Sequence, residues 1–339
     1  CSSDLEDGFM KAIQIHTPGG PDVLKYVELP TPKPGPGEVL VKAHAIGISM
    51  PEMLVRRGVY AWMPPLPLIP GIEMSGTVVE TGSGCTQLRV GQKVFVCARE
   101  FKERANCYAE YIAGPENRIY AVPEGVDLDE VAGLANYQVA WHLLNSALKG
   151  FQYESVLVLA AAGGVGSALV QLARVYGKRV IAVTSSAERA AFVRAQGADE
   201  VIDRTQSNVI DETLRLTGGR GVDLIMDCVG GPNVTALFKC LERFGLLMLY
   251  GQIEGMASGD IIKSIHCPPW RSGAFRYFTM HTLDDWPELR ARATHDLIRL
   301  LHEKKIRVPI HDRIPLAEAP RAHRVFESGK VMGKLLMKP

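Results

Sequence analysis

Residues 155–167 read SVLVLAAAGGVGS, and this stretch decides the architecture. Ser155 to Leu159 is a short, unbroken apolar run, the pattern of a strand buried on both faces of a parallel sheet. Val165 to Tyr176 then has helical spacing, so Gly163, Gly164 and Gly166 fall at a strand-to-helix turn. Glycine there lets the backbone approach a pyrophosphate, and the helix N-terminus offers free N–H groups and a positive dipole end. Alone, the cluster would read equally well as a tight turn without a ligand. Its place inside a strand–turn–helix unit points to a dinucleotide, with Ala162 and Val165 completing the cradle.

Outward from this turn, strand and helix patterns alternate. Strands are expected at 179–183, 200–202, 223–227 and 246–250, and helices at 132–148 and 187–196. Such alternation implies a doubly wound parallel sheet covered on both faces. Before about residue 134 the pattern differs: short β-type runs at 38–43, 76–80 and 91–96 are broken by Gly and Pro, as in a compact β-rich domain. From about His302 the chain returns to short extended pieces around Pro309 and Pro315. A chain of 339 residues suits two domains. The expected division is a β-rich domain from 10–134 and 302–339 and a nucleotide domain from 135–301, with 1–9 an extension outside the fold.

The end of the second strand discriminates between nucleotides. An acidic residue ~20 positions beyond the glycines would bind a ribose 2′-hydroxyl and repel a 2′-phosphate. Here the segment reads AVTSSAER (182–189), which places Ser185, Ser186 and Arg189 at that point, with Arg204 after the third strand. Hydroxyls and guanidinium forks suit a phosphomonoester, so NADPH is the expected cofactor. Glu188 is discordant and is expected to face solvent from its helix. The competing reading of Arg189 is an ordinary exposed helix arginine. Val229, Tyr250 and Gln252 follow strand ends at the carboxyl edge of the sheet, where ligands of such folds bind.

Composition narrows the function classes. A formal net charge of +1 gives no electrostatic argument for nucleic acid or an anionic membrane surface. No apolar run approaches the ~20 residues of a spanning helix, and CSSDLEDGF has neither the basic flank nor the apolar core of a signal peptide. Seven cysteines, an odd number without zinc-site spacing, read as free thiols in a reducing compartment, so a cytoplasmic location is expected.

Several longer stretches carry a resemblance: MKAIQIHTPGGPDVLKY (10–26), PGPGEVLVKAHAIGIS (34–49), YAEY (108–111), ANYQVAWHLL (135–144), DCVGG (227–231) and AHRVFESGKVMGKLLM (322–337). Together with AAAGGVG they resemble the medium-chain dehydrogenase/reductase superfamily, and within it the zinc-independent quinone oxidoreductase branch that includes zeta-crystallin. The resemblance implies an α/β fold made of a GroES-like β-rich catalytic domain and a Rossmann nucleotide-binding domain. It also implies hydride transfer from NADPH to a quinone or another small hydrophobic α,β-unsaturated carbonyl, with Val139 and Lys334 at the cofactor. Relatives often pair through the nucleotide domain, so a homodimer using Leu246–Tyr250 is expected.

The same resemblance bears on metal. Zinc alcohol dehydrogenases of the superfamily read Gly-His-Glu where this chain reads Gly71-Ile72-Glu73, and Ser49 falls where they supply a cysteine ligand. Isoleucine has no donor atom and a neutral hydroxyl is a poor substitute for thiolate, so no metal is expected. Glu73 then reads as a structural carboxylate held by backbone or a nearby arginine, with a proton donor as the alternative.

Residues 47–60 are expected to form one wall of the reaction pocket, with Tyr60, Ser49 and Glu52 as candidate hydroxyl or acid groups. Quinone reductases usually carry Asn at the Ser49 position, which leaves the nicotinamide contacts open. Tyr60 matches a proton-donating tyrosine of enoyl-thioester reductases and equally an aromatic wall of quinone reductases. His142 reads as a packing residue. Phe275 and Tyr277, with Arg271 and Phe278 beside them, suit a flat acceptor or subunit packing equally. Besides quinone or enone reduction, an enoyl-thioester reductase using Tyr60 and a non-catalytic NADPH-binding scaffold remain open.

Overall fold

The computed structural model describes residues 8–266 and 271–339. Cys1, Cys267 and most of the expected 1–9 extension lie outside these residues. The chain divides into two compact units, Cys1–Gln138 with Trp286–Pro339, and Val139–Asp285.

The second unit holds a six-stranded sheet made of Ser155–Val158, Arg179–Thr184, Glu200–Asp203, Val222–Asp227, Leu241–Leu249 and Ala274–Tyr277. Every pairing is parallel, and the spatial order is third, second, first, fourth, fifth, sixth. Both faces are covered, which is why Val156, Leu157, Val180, Ile181 and Ile225 could be continuously apolar and are fully buried. The order reverses at Ser155–Val158, which has the second strand on one side and the fourth on the other. The crevice outside its carboxyl end is where such sheets bind ligands. The helix Gly164–Val175 begins there. Gly166 is obligatory for this packing, since a Cβ would sit 2.5 Å from the Ala160 carbonyl oxygen.

The first unit is built on a seven-stranded sheet. Its order runs Ile310–Pro315, Lys334–Lys338, Glu38–Ile48, Glu73–Thr81, Lys93–Cys97, Ile119–Ala121, with Tyr111–Pro115 also pairing on Glu38–Ile48. Only the first of these pairs is parallel. Phe9–Gln14 and Lys25–Pro30 form a separate antiparallel ribbon.

Two helices in this unit depart from the sequence reading, which treated them as pocket wall and as extended tail. Met50–Arg57 starts at Ser49-Met50-Pro51-Glu52, in which the Glu52 carboxylate reaches back to the Ser49 N–H at 3.0 Å. Serine followed three residues later by glutamate, with proline in the first turn, is a helix-start signal, and Gly58 (φ +72°) ends the helix. Ala319–Glu327 opens on Ala319-Pro320 and buries Ala322 and His323. Pro320 occupies the first helical turn, where its missing N–H costs no hydrogen bond.

Candidate active site

Four adjacent strands of the first unit end side by side. Leu335 pairs with Ile48, Ile46 with Met74, and Glu73 with Cys97. Lys334, Ser49, Glu73 and Cys97 therefore line one end of the sheet. Gly47 makes the crossing possible: a Cβ there would lie 2.6 Å from the Glu73 side chain and 2.3 Å from the Ala132 carbonyl oxygen.

Glu73 is fully buried. Its Oε1 accepts from the Lys334 ammonium, and its Oε2 accepts from the Ala135 N–H at 2.8 Å. Lys334, itself 2% exposed, also donates to Ser49 Oγ at 2.7 Å. Ser49 Oγ lies 3.1 Å from Glu73 Oε1 and 3.2 Å from Asn136 Oδ1, so its single proton has two candidate acceptors. Glu73 is thus a partnered carboxylate, and its cation is Lys334 where the sequence suggested an arginine. Glu52 sits behind this cluster and accepts from the Ser49 and Ile72 N–H groups, each at 3.0 Å. Burial pushes its carboxyl up to about 7; the Lys334 charge pulls it down and Glu73 pushes it further up. Tyr60 is half-buried, packs on the unit's apolar core and has its ring 5.9 Å from that of Trp62. His142 is buried, with Nδ1 2.9 Å from Ser146 Oγ, as expected of a packing residue.

These residues do not fit zinc. Ile72 is buried and apolar, Glu73 has committed both oxygens, and the ammonium of Lys334 already supplies the positive charge beside it. Among the described residues no three His, Cys, Asp or Glu side chains converge as a ligand set.

In the nucleotide unit, Gly163, Gly164, Val165 and Gly166 form the turn into the helix Gly164–Val175. At the end of the second strand, Ser186 caps the helix Ala187–Ala195 by accepting from the Arg189 N–H at 3.2 Å. Arg189 folds back so that Nη1 donates to Ser185 Oγ at 3.3 Å, while Glu188 is exposed as expected. Arg204 is exposed beyond the third strand, tied through its N–H to the Thr184 carbonyl at 3.0 Å. Asp227 turns the chain at the fourth strand end by accepting from Val229 N–H at 2.7 Å and Gly230 N–H at 3.3 Å. Tyr250 follows the fifth strand with its N–H on the Asp227 carbonyl at 2.8 Å, and Gln252 is exposed two residues on. Ala162 is buried within the turn, and Val139 is half-buried in the helix Leu134–Leu144. Thr184 Oγ1 and Asp227 Oδ2 are buried without a hydrogen-bond partner among the described residues. Orphaned polar atoms at strand ends, beside a glycine turn, fit a polar ligand such as a dinucleotide.

Phe275 is half-buried against the Phe238 ring at 6.2 Å, in the core of this unit. Tyr277 is 53% exposed, and Arg271 holds the Lys239 and Leu241 carbonyls.

The pairing of Lys334 with Glu73, 261 positions apart, has no local sequence signal, nor has the approach of Asn136 to Ser49. The Ser49–Glu52 capping pair does have one, in the Ser-x-x-Glu spacing.

A six-stranded parallel sheet with a glycine turn at its switch point, together with a β-rich unit, is the architecture of two-domain dinucleotide-binding folds. Residues 35–140 match the alcohol dehydrogenase GroES-like domain and residues 164–292 the zinc-binding dehydrogenase domain. Quinone oxidoreductase of Pseudomonas aeruginosa is 32% identical over 333 residues, covering 97% of this chain and 99% of that protein. Quinone oxidoreductase of Rattus norvegicus is 34% identical over 244 residues, 71% of this chain and 73% of that protein. Among solved structures, Escherichia coli quinone oxidoreductase complexed with NADPH superposes with a TM-score of 0.85 at 26% identity, covering 97% of this chain and 100% of that one. The chain belongs to the medium-chain dehydrogenase/reductase superfamily, in its quinone oxidoreductase branch.

Proposed function

We propose that this protein transfers hydride from NADPH to a quinone or an α,β-unsaturated carbonyl compound, without a metal. The observation that carries the cofactor assignment is the second strand end, where Ser185, Ser186 and Arg189 stand in place of an acidic residue. Arg189 and Arg204 would hold the 2′-phosphate, and the turn at Gly163–Gly166 the pyrophosphate. The names of the two quinone oxidoreductase relatives, and the NADPH bound to the Escherichia coli enzyme, support this reading.

NADPH, when bound, supplies the hydride, so side chains have little covalent chemistry to perform. As hydride reaches an electron-poor carbon, negative charge develops on the acceptor oxygen. Ser49 can stabilise that charge by turning its one hydroxyl proton from Glu73 or Asn136 to the acceptor oxygen, while the Lys334 ammonium holds its own oxygen. Glu52 holds the start of the helix that carries Ser49, and so acts by positioning. Tyr60 supplies an aromatic wall with a second hydroxyl. One proton from solvent completes the reduction, giving NADP⁺ and the reduced acceptor.

Arg189→Ala should weaken NADPH binding by about 1.5–3 kcal/mol, the worth of charge-assisted hydrogen bonds, and leave NADH binding nearly unchanged. Titration of both nucleotides checks this; equal losses would remove the 2′-phosphate assignment.

A further inference from the structure

The polar cluster at the end of the first unit's sheet has one member that reaches solvent. Glu73, Lys334 and Glu52 are buried, and Ser49 is only 7% exposed. Asn136 is half-buried, and its Oδ1 lies 3.2 Å from Ser49 Oγ. It stands in the first turn of the helix Leu134–Leu144, beside Ala135, whose N–H donates to Glu73 Oε2 at 2.8 Å. The buried carboxylate thus fixes the backbone from which the amide projects. All five side chains belong to the same unit.

Of the two acceptors open to the Ser49 proton, Glu73 Oε1 already accepts from Lys334, whereas Asn136 Oδ1 has no other donor among the described residues. Two oxygens at that separation also repel unless a proton lies between them, which places the resting proton on the Asn136 side. Behind it, the Lys334 ammonium donates to Ser49 Oγ at 2.7 Å. The bonds run one way, from ammonium to hydroxyl to amide carbonyl, and each donor polarises the next. The chain ends at Asn136 Nδ2. Its two N–H groups have no partner among the described residues, and the side chain that carries them is the least enclosed of the cluster.

We infer that Asn136 is a second donor to the acceptor oxygen, its Nδ2–H joining the Ser49 hydroxyl as hydride arrives. The assignment rests on the reductase reading for the reaction and on the uncommitted amide donors for the residue. Nδ2 shares a carbon with Oδ1, so one oxygen atom can face Nδ2 and Ser49 Oγ together. When the Ser49 proton swings to that oxygen, Asn136 Oδ1 loses one neutral bond at a half-buried position, where water can replace it. Hydride forms the new C–H bond, the displaced π pair moves to oxygen, and solvent supplies the proton. Asn136 therefore lends a hydrogen bond to the developing charge and gives up no proton.

The test measures NADPH oxidation by 9,10-phenanthrenequinone and by cyclohex-2-enone in the wild-type protein, Asn136→Ala and Asn136→Asp. Asn136→Ala should lower kcat/KM for the acceptor by roughly hundred- to thousand-fold, the effect of removing an oxyanion donor, and leave the Kd of NADPH unchanged. Asn136→Asp keeps the side-chain shape but presents a carboxylate at neutral pH, which cannot donate. Its rate relative to Asn136→Ala should rise as pH falls toward about 4, where a neutral carboxyl offers an O–H. That ratio divides out the titration of Glu52, Glu73 and Lys334, which both variants share. A second arm needs no turnover: bound 4-nitrophenol, read by its absorbance, should ionise at lower pH in the wild-type protein than in Asn136→Ala. Wild-type kcat/KM in Asn136→Ala, a flat ratio of the two variants across pH, or equal ionisation of 4-nitrophenol in both proteins would overturn the Asn136 donor. Turnover of neither acceptor, with 4-nitrophenol ionisation still dependent on Asn136, would instead overturn the reductase reading and leave the donor standing.

Discussion

At Ile72 the chain buries a hydrocarbon with no donor atom, and beside it Glu73 buries a carboxylate. Glu73 needs a positive charge within reach, and Lys334 provides it from a strand at the far end of the sequence. Removing one member of a buried pair strands the other, which typically costs about 3–5 kcal/mol. Glu73→Gln or Lys334→Met alone should therefore lower the urea midpoint markedly. The double variant should recover a large part of the loss, because it buries neither charge. Additive losses in the double variant would show that the two side chains do not depend on each other.

At the scale of elements, the helices Met50–Arg57 and Ala319–Glu327 are joined by a buried relay. Arg56 Nη1 lies 3.3 Å from His323 Nδ1, and His323 Nε2 lies 3.1 Å from the Tyr108 hydroxyl. Arg56 also pairs with Glu327 at 2.6 Å. Burial first, and then the Arg56 charge, push the His323 imidazole down to about 3, against a smaller opposite pull from Glu327. The unfolded chain thus takes a proton that the native chain refuses between about pH 3 and 6.5, and stability falls as pH drops through that window by roughly 1.4 kcal/mol per unit. Glu52 acts in the opposite sense. Its carboxyl is raised to about 7, so its contribution is fully present below its ordinary value near 4.5 and is lost as pH rises toward 7. The two slopes oppose each other from 4.5 to 6.5, where the windows overlap, and the parent profile there should be flat from these groups. Glu52→Gln should tilt it so that stability rises with pH, and His323→Gln should tilt it the other way. Denaturation midpoints across that range check both; parallel profiles for parent and variants would contradict the protonation states assigned.

These two helices also show what the sequence did and did not make legible. Ser49-x-x-Glu52 with Pro51 carried a readable start signal, and the helix was missed because the segment was read for its chemistry alone. Ala319–Glu327 was missed because the whole tail was read as extended pieces around Pro309 and Pro315. In contrast, the first four parallel strands were legible nearly to the residue, because burial on both faces leaves an unbroken apolar run; the fifth starts five residues before its expected start, and the sixth, Ala274–Tyr277, had no expectation. The serine and arginine at the second strand end were legible because strand and helix fix their spacing locally. The relay through His323, the Lys334–Glu73 pair and the approach of Asn136 to Ser49 were not. Each depends on strands or helices brought together from distant parts of the chain, and no periodicity records such a meeting.

At the scale of the whole molecule, one unit carries the glycine turn and Arg189, which the proposed function assigns to NADPH, and the other carries the Ser49 hydroxyl held by Lys334. No helix among the described residues is long and apolar enough to cross a membrane. The central claim is that this pairing reduces an electron-poor carbonyl without metal. The direct measurement is NADPH oxidation by a panel of quinones and enones, using protein dialysed against a strong chelator and assayed for residual zinc. The account predicts turnover of at least one acceptor at a rate unchanged by chelation or added zinc. Turnover lost on chelation and restored by zinc, or no oxidation of NADPH by any acceptor, would contradict it.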